Sequence, residues 1–128
     1  MKPYIMMILV ITLVTAMCKP DSEVLLLDDT NDGQTFFMTK EDEVVISLNS
    51  NATTGYMWEI ADINTQVISE KRKSDYLVQS QKLGAPGIQV FYFVATGAGY
   101  SDINFVYRRS WESDTPPLKK YSVKIQVK

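Results

Sequence analysis

A chain of 128 residues fits one domain and leaves no room for two of ordinary size. With 45% hydrophobic and 22% charged residues it has the balance of a globular protein that needs no metal or disulfide staple, which excludes a disordered chain. The formal charge is −2 with acids and bases interleaved, so no basic run could track a phosphate backbone and nucleic acid is excluded as a partner.

In chain order, Lys2 provides a short positive region, Ile5 to Val14 form an apolar run broken only by Thr12, and Thr15 and Ala16 are small. This is the layout of a secretory signal peptide. Even extended to Cys18 the run is 14 residues long, short of the ~20 that a spanning helix requires. The expectation is a signal peptide at residues 1–18, cleaved after Ala16 or Cys18, followed by a domain at 19–128 with no membrane attachment. Met17 is too bulky for the position before a lipidated Cys18. Cys18 is the only cysteine, so the mature domain holds no disulfide although it enters an oxidising compartment. Removal of Lys2 leaves 12 basic against 15 acidic residues, a net charge of −3.

Beyond residue 18 there is no repeat, low-complexity tract or linker, and short alternating runs dominate. Val44, Ile46 and Leu48 point one way; Glu43, Val45 and Ser47 point the other. Ile103, Phe105 and Tyr107 alternate with polar or smaller neighbours, as do Tyr121, Val123, Ile125 and Val127. A period of two means strands with one face in a core. Further strands are expected at Glu23–Leu27, Thr35–Met38, Tyr56–Ile60, Val67–Arg72, Asp75–Ser80 and Ile88–Ala95. Turn signals at 28–33, 49–55, 83–87, 97–99 and 113–117 divide them. No apolar 3.6-residue period persists, so the fold class is all-β, an antiparallel sandwich or barrel. Trp58 is expected to fill the space between two sheets, and Lys71-Arg72-Lys73 to lie on a solvated face.

The chain has no histidine and the mature domain no cysteine. That removes Ser–His and Cys–His nucleophiles and the commonest zinc ligands, and no acidic pair sits in a pocket-like pattern suited to hydrolysis. An enzyme is not expected. Asp28-Asp29-Thr30-Asn31-Asp32-Gly33 starts like a calcium loop, but position 12 would be Thr39 where a bidentate Glu is needed. It reads as a tight turn. Gly97-Ala98-Gly99 leads into another strand rather than a helix, which makes it a hairpin turn and no phosphate loop.

Three loops differ from ordinary connectors. Ser50-Asn51-Ala52-Thr53-Thr54-Gly55 combines two χ1-stiff threonines with a glycine that can turn sharply into the strand at Tyr56. Leu83-Gly84-Ala85-Pro86-Gly87 presents backbone with little side-chain obstruction. Arg108-Arg109-Ser110-Trp111 sends an indole out of a strand before an acidic, proline-containing loop. In order, Asn51-Ala52-Thr53-Thr54-Gly55-Tyr56, Gly84-Ala85-Pro86-Gly87 and Arg109-Ser110-Trp111 resemble the chagasin family of cysteine protease inhibitors. Its signature is Asn-Pro-Thr-Thr-Gly-aromatic, then Gly-x-x-Gly, then Arg-Pro-Trp or Arg-Pro-Phe. Ala52 and Ser110 stand where the family has proline, which removes two backbone stiffeners.

The resemblance spans Glu23 to Lys128. It implies an immunoglobulin-like sandwich with the three loops at one end, no cofactor, and a monomer that reversibly occludes papain-like cysteine proteases, cathepsin L-like enzymes among them. Thr53 would lie nearest the enzyme's cysteine and histidine with Thr54 supporting it. The Gly84–Gly87 loop would grip one side of the cleft, and Trp111, with Arg109 beside it, the other. The same loops would also suit a secreted module that binds another protein or a glycan. The expected location is the secretory pathway, ending outside the cell or in lysosome- or phagosome-like vesicles, or a periplasm in a bacterium. Asn51-Ala52-Thr53 is the only Asn-x-Thr/Ser acceptor in the chain, a glycosylation site that a proline at 52 would forbid.

Overall fold

The computed structural model describes residues 22–112 and 114–128. The expected signal peptide and Cys18 lie outside the described residues. Eight strands follow one another: β1 (Val24–Asp28), β2 (Thr35–Met38), β3 (Glu43–Ser50), β4 (Tyr56–Asp62), β5 (Ile68–Val78), β6 (Gly87–Ala95), β7 (Gly99–Arg109) and β8 (Lys119–Val127). They form two four-stranded sheets, ordered β1-β3-β6-β5 and β2-β8-β7-β4.

The alternating runs bury the sides expected of them. Val44, Ile46, Leu48, Phe93, Ile103 and Val123 are fully buried, and Phe105 nearly so. The Phe105 ring in one sheet meets Phe91 and Phe93 of the other at centroid distances of 4.8 and 6.1 Å. Trp58 is buried with this core. Its backbone N–H donates to Gln89 Oε1 at 2.7 Å, and Gln89 Nε2 returns a bond to the Trp58 carbonyl at 3.2 Å. Gln89 is itself buried, so this reciprocal pair gives a polar core side chain its partners and ties the sheets together.

Three local expectations are revised. Pairing is antiparallel except at two edges, where β1 runs parallel to β3 and β2 parallel to β8. A two-residue period marks a half-buried strand but carries no information on direction. Second, Val67–Arg72 and Asp75–Ser80 are one strand, β5, whose register with β6 shifts between Glu70 and Arg72 and again between Arg72 and Asp75. The polar run from Lys71 to Ser74 interrupts the alternation because this edge strand bulges there, and bulges with lysines also guard an edge against stray pairing.

Third, Asp28–Gly33 is more than a tight turn between neighbouring strands: through a 3-10 turn at Asp29–Asn31 it crosses from one sheet to the other. Its acids fasten it. Asp28 Oδ1 accepts from Thr30 N–H and Oγ1, which holds its carboxyl below the ordinary range. Asp29 Oδ2 accepts from Asn49 N–H and Nδ2, and Asp32 Oδ1 from Ser122 N–H. Tyr121 donates to the Asp28 carbonyl at 2.8 Å, and burial, followed by these nearby carboxylates, pushes its hydroxyl pKa well up.

Candidate functional site: a three-loop pole

Strand register decides where the loops go. Ser50 pairs with Gly87, and Gly87 with Val78; in the other sheet Tyr56 pairs with Arg109 and Tyr107 with Lys119. The loops at 51–55, 79–86 and 110–118 therefore leave from the same pole. All twelve sequence-selected residues, from Asn51 to Trp111, lie there.

The first loop is a 3-10 turn over Ala52–Thr54 capped by Asn51. Asn51 Oδ1 accepts from Thr53 N–H at 3.2 Å and from Thr53 Oγ1 at 2.5 Å, while Thr54 Oγ1 donates to the Asn51 carbonyl at 2.7 Å. Both threonine hydroxyls thus serve the loop itself, and the side chains of residues 52–54 are exposed at its apex. Gly55 ends the turn at φ +84°, a left-handed conformation that glycine adopts without strain.

Neighbouring segments hold this loop in place. Asn51 Nδ2 donates to the Gly84 carbonyl of the second loop at 3.3 Å. Arg109 Nε donates to the Thr54 carbonyl at 3.1 Å, and its guanidinium lies 4.5 Å from the centre of the Tyr56 ring. The Trp111 indole rests against Gly55 so closely that a Cβ there would collide with it. Glycine at 55 is thus required twice, by its backbone angle and by the indole.

The third loop starts as a four-residue turn, closed by Glu112 N–H donating to the Arg109 carbonyl at 3.0 Å and braced by Arg109 Nη1 on Glu112 Oε1 at 3.2 Å. Arg108 Nη2 adds a bond to the Glu112 carbonyl. Trp111 remains 68% exposed, an uncommon state for the largest apolar side chain.

Beneath the loops an aromatic stack runs outward from the core. Trp58 meets Tyr107 at 4.9 Å, Tyr107 stacks on Tyr56 at 5.4 Å, and Tyr56 carries the Arg109 guanidinium. Rigid side chains with few rotamers thus connect the packed interior to the exposed rim.

Sequence reasoning missed two members of the pole and gave a third, Leu83, no role of its own. Tyr107 Oη accepts Asn51 N–H at 3.0 Å, and Tyr76 Oη accepts Ala52 N–H at 3.1 Å. Both appear in the sequence only as ordinary strand tyrosines, because a hydroxyl's partner 24 or 56 residues away leaves no local signal. Leu83 is fully exposed beside Gly84; an apolar residue in a Gly/Pro-rich turn was the available clue.

The family model described as Chagasin family peptidase inhibitor I42 matches residues 38–125, a span that takes in all three loops. The chain belongs to the chagasin family of peptidase inhibitors. As a chagasin-family chain it is an inhibitor and not an enzyme. It is similar to Amoebiasin-2 of Entamoeba histolytica, at 25% identity over 104 residues, 80% of this chain and 85% of that protein. Among solved structures it resembles the cysteine protease inhibitor EhICP2 from Entamoeba histolytica, with a TM-score of 0.76 at 24% identity over 85% of this chain and 99% of that one. It also resembles PbICP-C, solved in complex with falcipain-2, with a TM-score of 0.58 at 20% identity over 84% and 100%. These likenesses establish the immunoglobulin-like sandwich expected from the loop signature.

Proposed function

We propose that this chagasin-family chain inhibits papain-like cysteine proteases, cathepsin L-like enzymes among them, by seating the three-loop pole in the active-site cleft as a monomer. The observation that carries this reading is the mutual fastening of the loops: Asn51 to Gly84, Arg109 to Thr54, and Trp111 on Gly55. A wedge already in its binding shape loses little freedom on docking, and protease–inhibitor contacts of about 1,600 Å² reach high affinity on that basis. Thr53 at the apex takes the place nearest the catalytic cysteine and histidine, with Thr54 bracing it. Gly84, Ala85, Pro86 and Gly87 line one wall with backbone, and Leu83 adds an apolar contact. Trp111, with Arg109 and Ser110, covers the other wall. Nothing in the wedge has to lie along the cleft as a substrate does, so binding is reversible without cleavage.

Titration of papain with residues 19–128 tests the reading, with trypsin as control. Nanomolar inhibition is expected, roughly −12 kcal/mol, and none of trypsin. Papain left fully active at micromolar inhibitor would overturn it.

The proposal extends to location and modification. Residues 1–18 would direct the chain into the secretory pathway, where Asn51 meets the glycosylation machinery in a eukaryotic cell. A glycan on Nδ2 would displace the bond to Gly84 and block the cleft-facing apex, so the inhibitor would act only when Asn51 is unmodified. Mass spectrometry of the secreted protein reads occupancy; full inhibition by a quantitatively glycosylated preparation would refute the switch.

A further inference from the structure

We propose that Tyr76 is the positioning residue of the inhibitory wedge, fixing the first loop through the Ala52 N–H and the second through close packing on Gly87. The inference rests on the reading that the Asn51–Gly55 loop enters a papain-like cleft. Tyr76 projects from β5, the edge strand of its sheet, and lies outside the hydrophobic core. Its hydroxyl accepts Ala52 N–H at 3.1 Å and reaches the Ser50 carbonyl at 3.5 Å. The two leading N–H groups of the loop are thus held by two phenols, Tyr76 from one sheet and Tyr107 from the other.

The ring of Tyr76 occupies the space where a side chain at residue 87 would stand. A Cβ on Gly87 would come within 2.5 Å of Tyr76 Cζ and 2.6 Å of Oη. The two glycines of the second loop therefore answer different needs. Gly84 has open space around it and a φ of +76°, so its backbone conformation demands glycine; Gly87 has no positive φ, and the Tyr76 ring together with the Leu77 carbonyl, 2.8 Å from where a Cβ would stand, demands it. One half-buried side chain consequently sets the apex of the first loop and the end of the second. Tyr107 does related work, but its ring is part of the core, whereas Tyr76 lies outside it.

Tyr76→Phe keeps the ring and removes the hydroxyl. One net hydrogen bond corresponds to a change of about threefold to tenfold, so the Ki for papain should rise by about that factor, chiefly through faster dissociation. The thermal midpoint should fall by no more than the roughly 8 °C that one lost hydrogen bond accounts for. In the free protein the Ala52 amide should exchange faster with solvent, while the amides of Trp58 and Phe93 keep their rates.

Ala52→Pro supplies the matching control, because proline has no N–H to donate. Asn51, at φ −127° and ψ 92°, is extended and accepts a following proline. Residue 52 opens the 3-10 turn, where proline is tolerated. In that background Tyr76→Phe should leave Ki within about twofold. Equal losses in both backgrounds would overturn the proposal. So would an unchanged Ki with the native loop, an unaltered Ala52 exchange rate, or a Ki rise matched by faster exchange throughout the core. Failure of the unmutated protein to inhibit papain would instead sink the functional reading, and the exchange measurement would still decide whether Tyr76 holds the loop.

Discussion

Trp58 lies at the buried end of the aromatic stack, Trp111 on the exposed rim beside Gly55, and the two are held in opposite ways. Trp58 is buried, its indole Nε1 donates to the Asn49 carbonyl at 2.9 Å, and its peptide group is bonded on both sides by Gln89. Trp111 has one face on Gly55 and leaves two thirds of its surface in water. A strand register places the first, a four-residue turn the second. The same residue type therefore forms a floor in one region and an exposed rim in the other, and what separates them is how many neighbours already satisfy the indole.

The strongest way to break that comparison is Trp58→Ala, expected to cost about 3–5 kcal/mol of stability as an emptied aromatic core site, read by chemical denaturation. Any loss of inhibition should track the unfolded fraction. Trp111→Ala should do the reverse: inhibition weakened by about 2 kcal/mol or more, with an unchanged denaturation midpoint. Reversed phenotypes would mean that floor and rim have been exchanged.

Smaller effects sharpen the picture of the rim. Ser110 is the second residue of the turn closed between Arg109 and Glu112, the position where proline is favoured. Ser110→Pro should tighten inhibition by about 0.4–1 kcal/mol. Ala52→Pro should not tighten it, because the stiffening is offset by loss of the N–H bond to Tyr76. A gain at 52 equal to that at 110 would show that this bond contributes nothing.

The smallest effect is expected on acidification. Asp42 accepts first from Thr39 N–H, and Asp28 from Thr30, which lowers both carboxyl pKa values below the ordinary 3.8. A depressed folded-state pKa adds stability above the unfolded value and loses it as pH falls through the folded one. The urea midpoint should therefore stay flat from pH 7 to about 5 and decline only below about 4. With no histidine in the chain, no imidazole charges between pH 5 and 8, so rim and floor should respond alike across that range. A sharp change in Ki between pH 7 and 5 would point to a group in the protease.

The core was legible because burial follows alternation. Val44, Ile46 and Leu48 could be assigned to one face from the sequence, as could Tyr121 through Val127. Strand direction was not legible, since β1 alternates equally well beside β3 in either orientation. Nor was the continuity of β5, where Lys71 to Ser74 hide a bulged strand behind a polar run. The loops were recognisable from Thr53-Thr54-Gly55 and the glycine pair at 84 and 87, where the residue type itself signals a backbone or a steric demand. Their fastening was not, because Tyr76, Tyr107 and Gln89 act through atoms whose partners lie 24 to 56 residues away.

Because β1 runs in the same direction as β3, Val24 lies beside Glu43, at the pole farthest from Ser50. Val127 pairs with Gly99 at that pole too. Both ends of the domain thus leave from behind the wedge, like a handle set opposite a blade. An affinity tag, a bead or a fused enzyme attached there would stay on the side away from the three loops. Copies joined head to tail by flexible linkers would each keep an open blade, and the linker's reach would then set how many proteases one chain can hold at once.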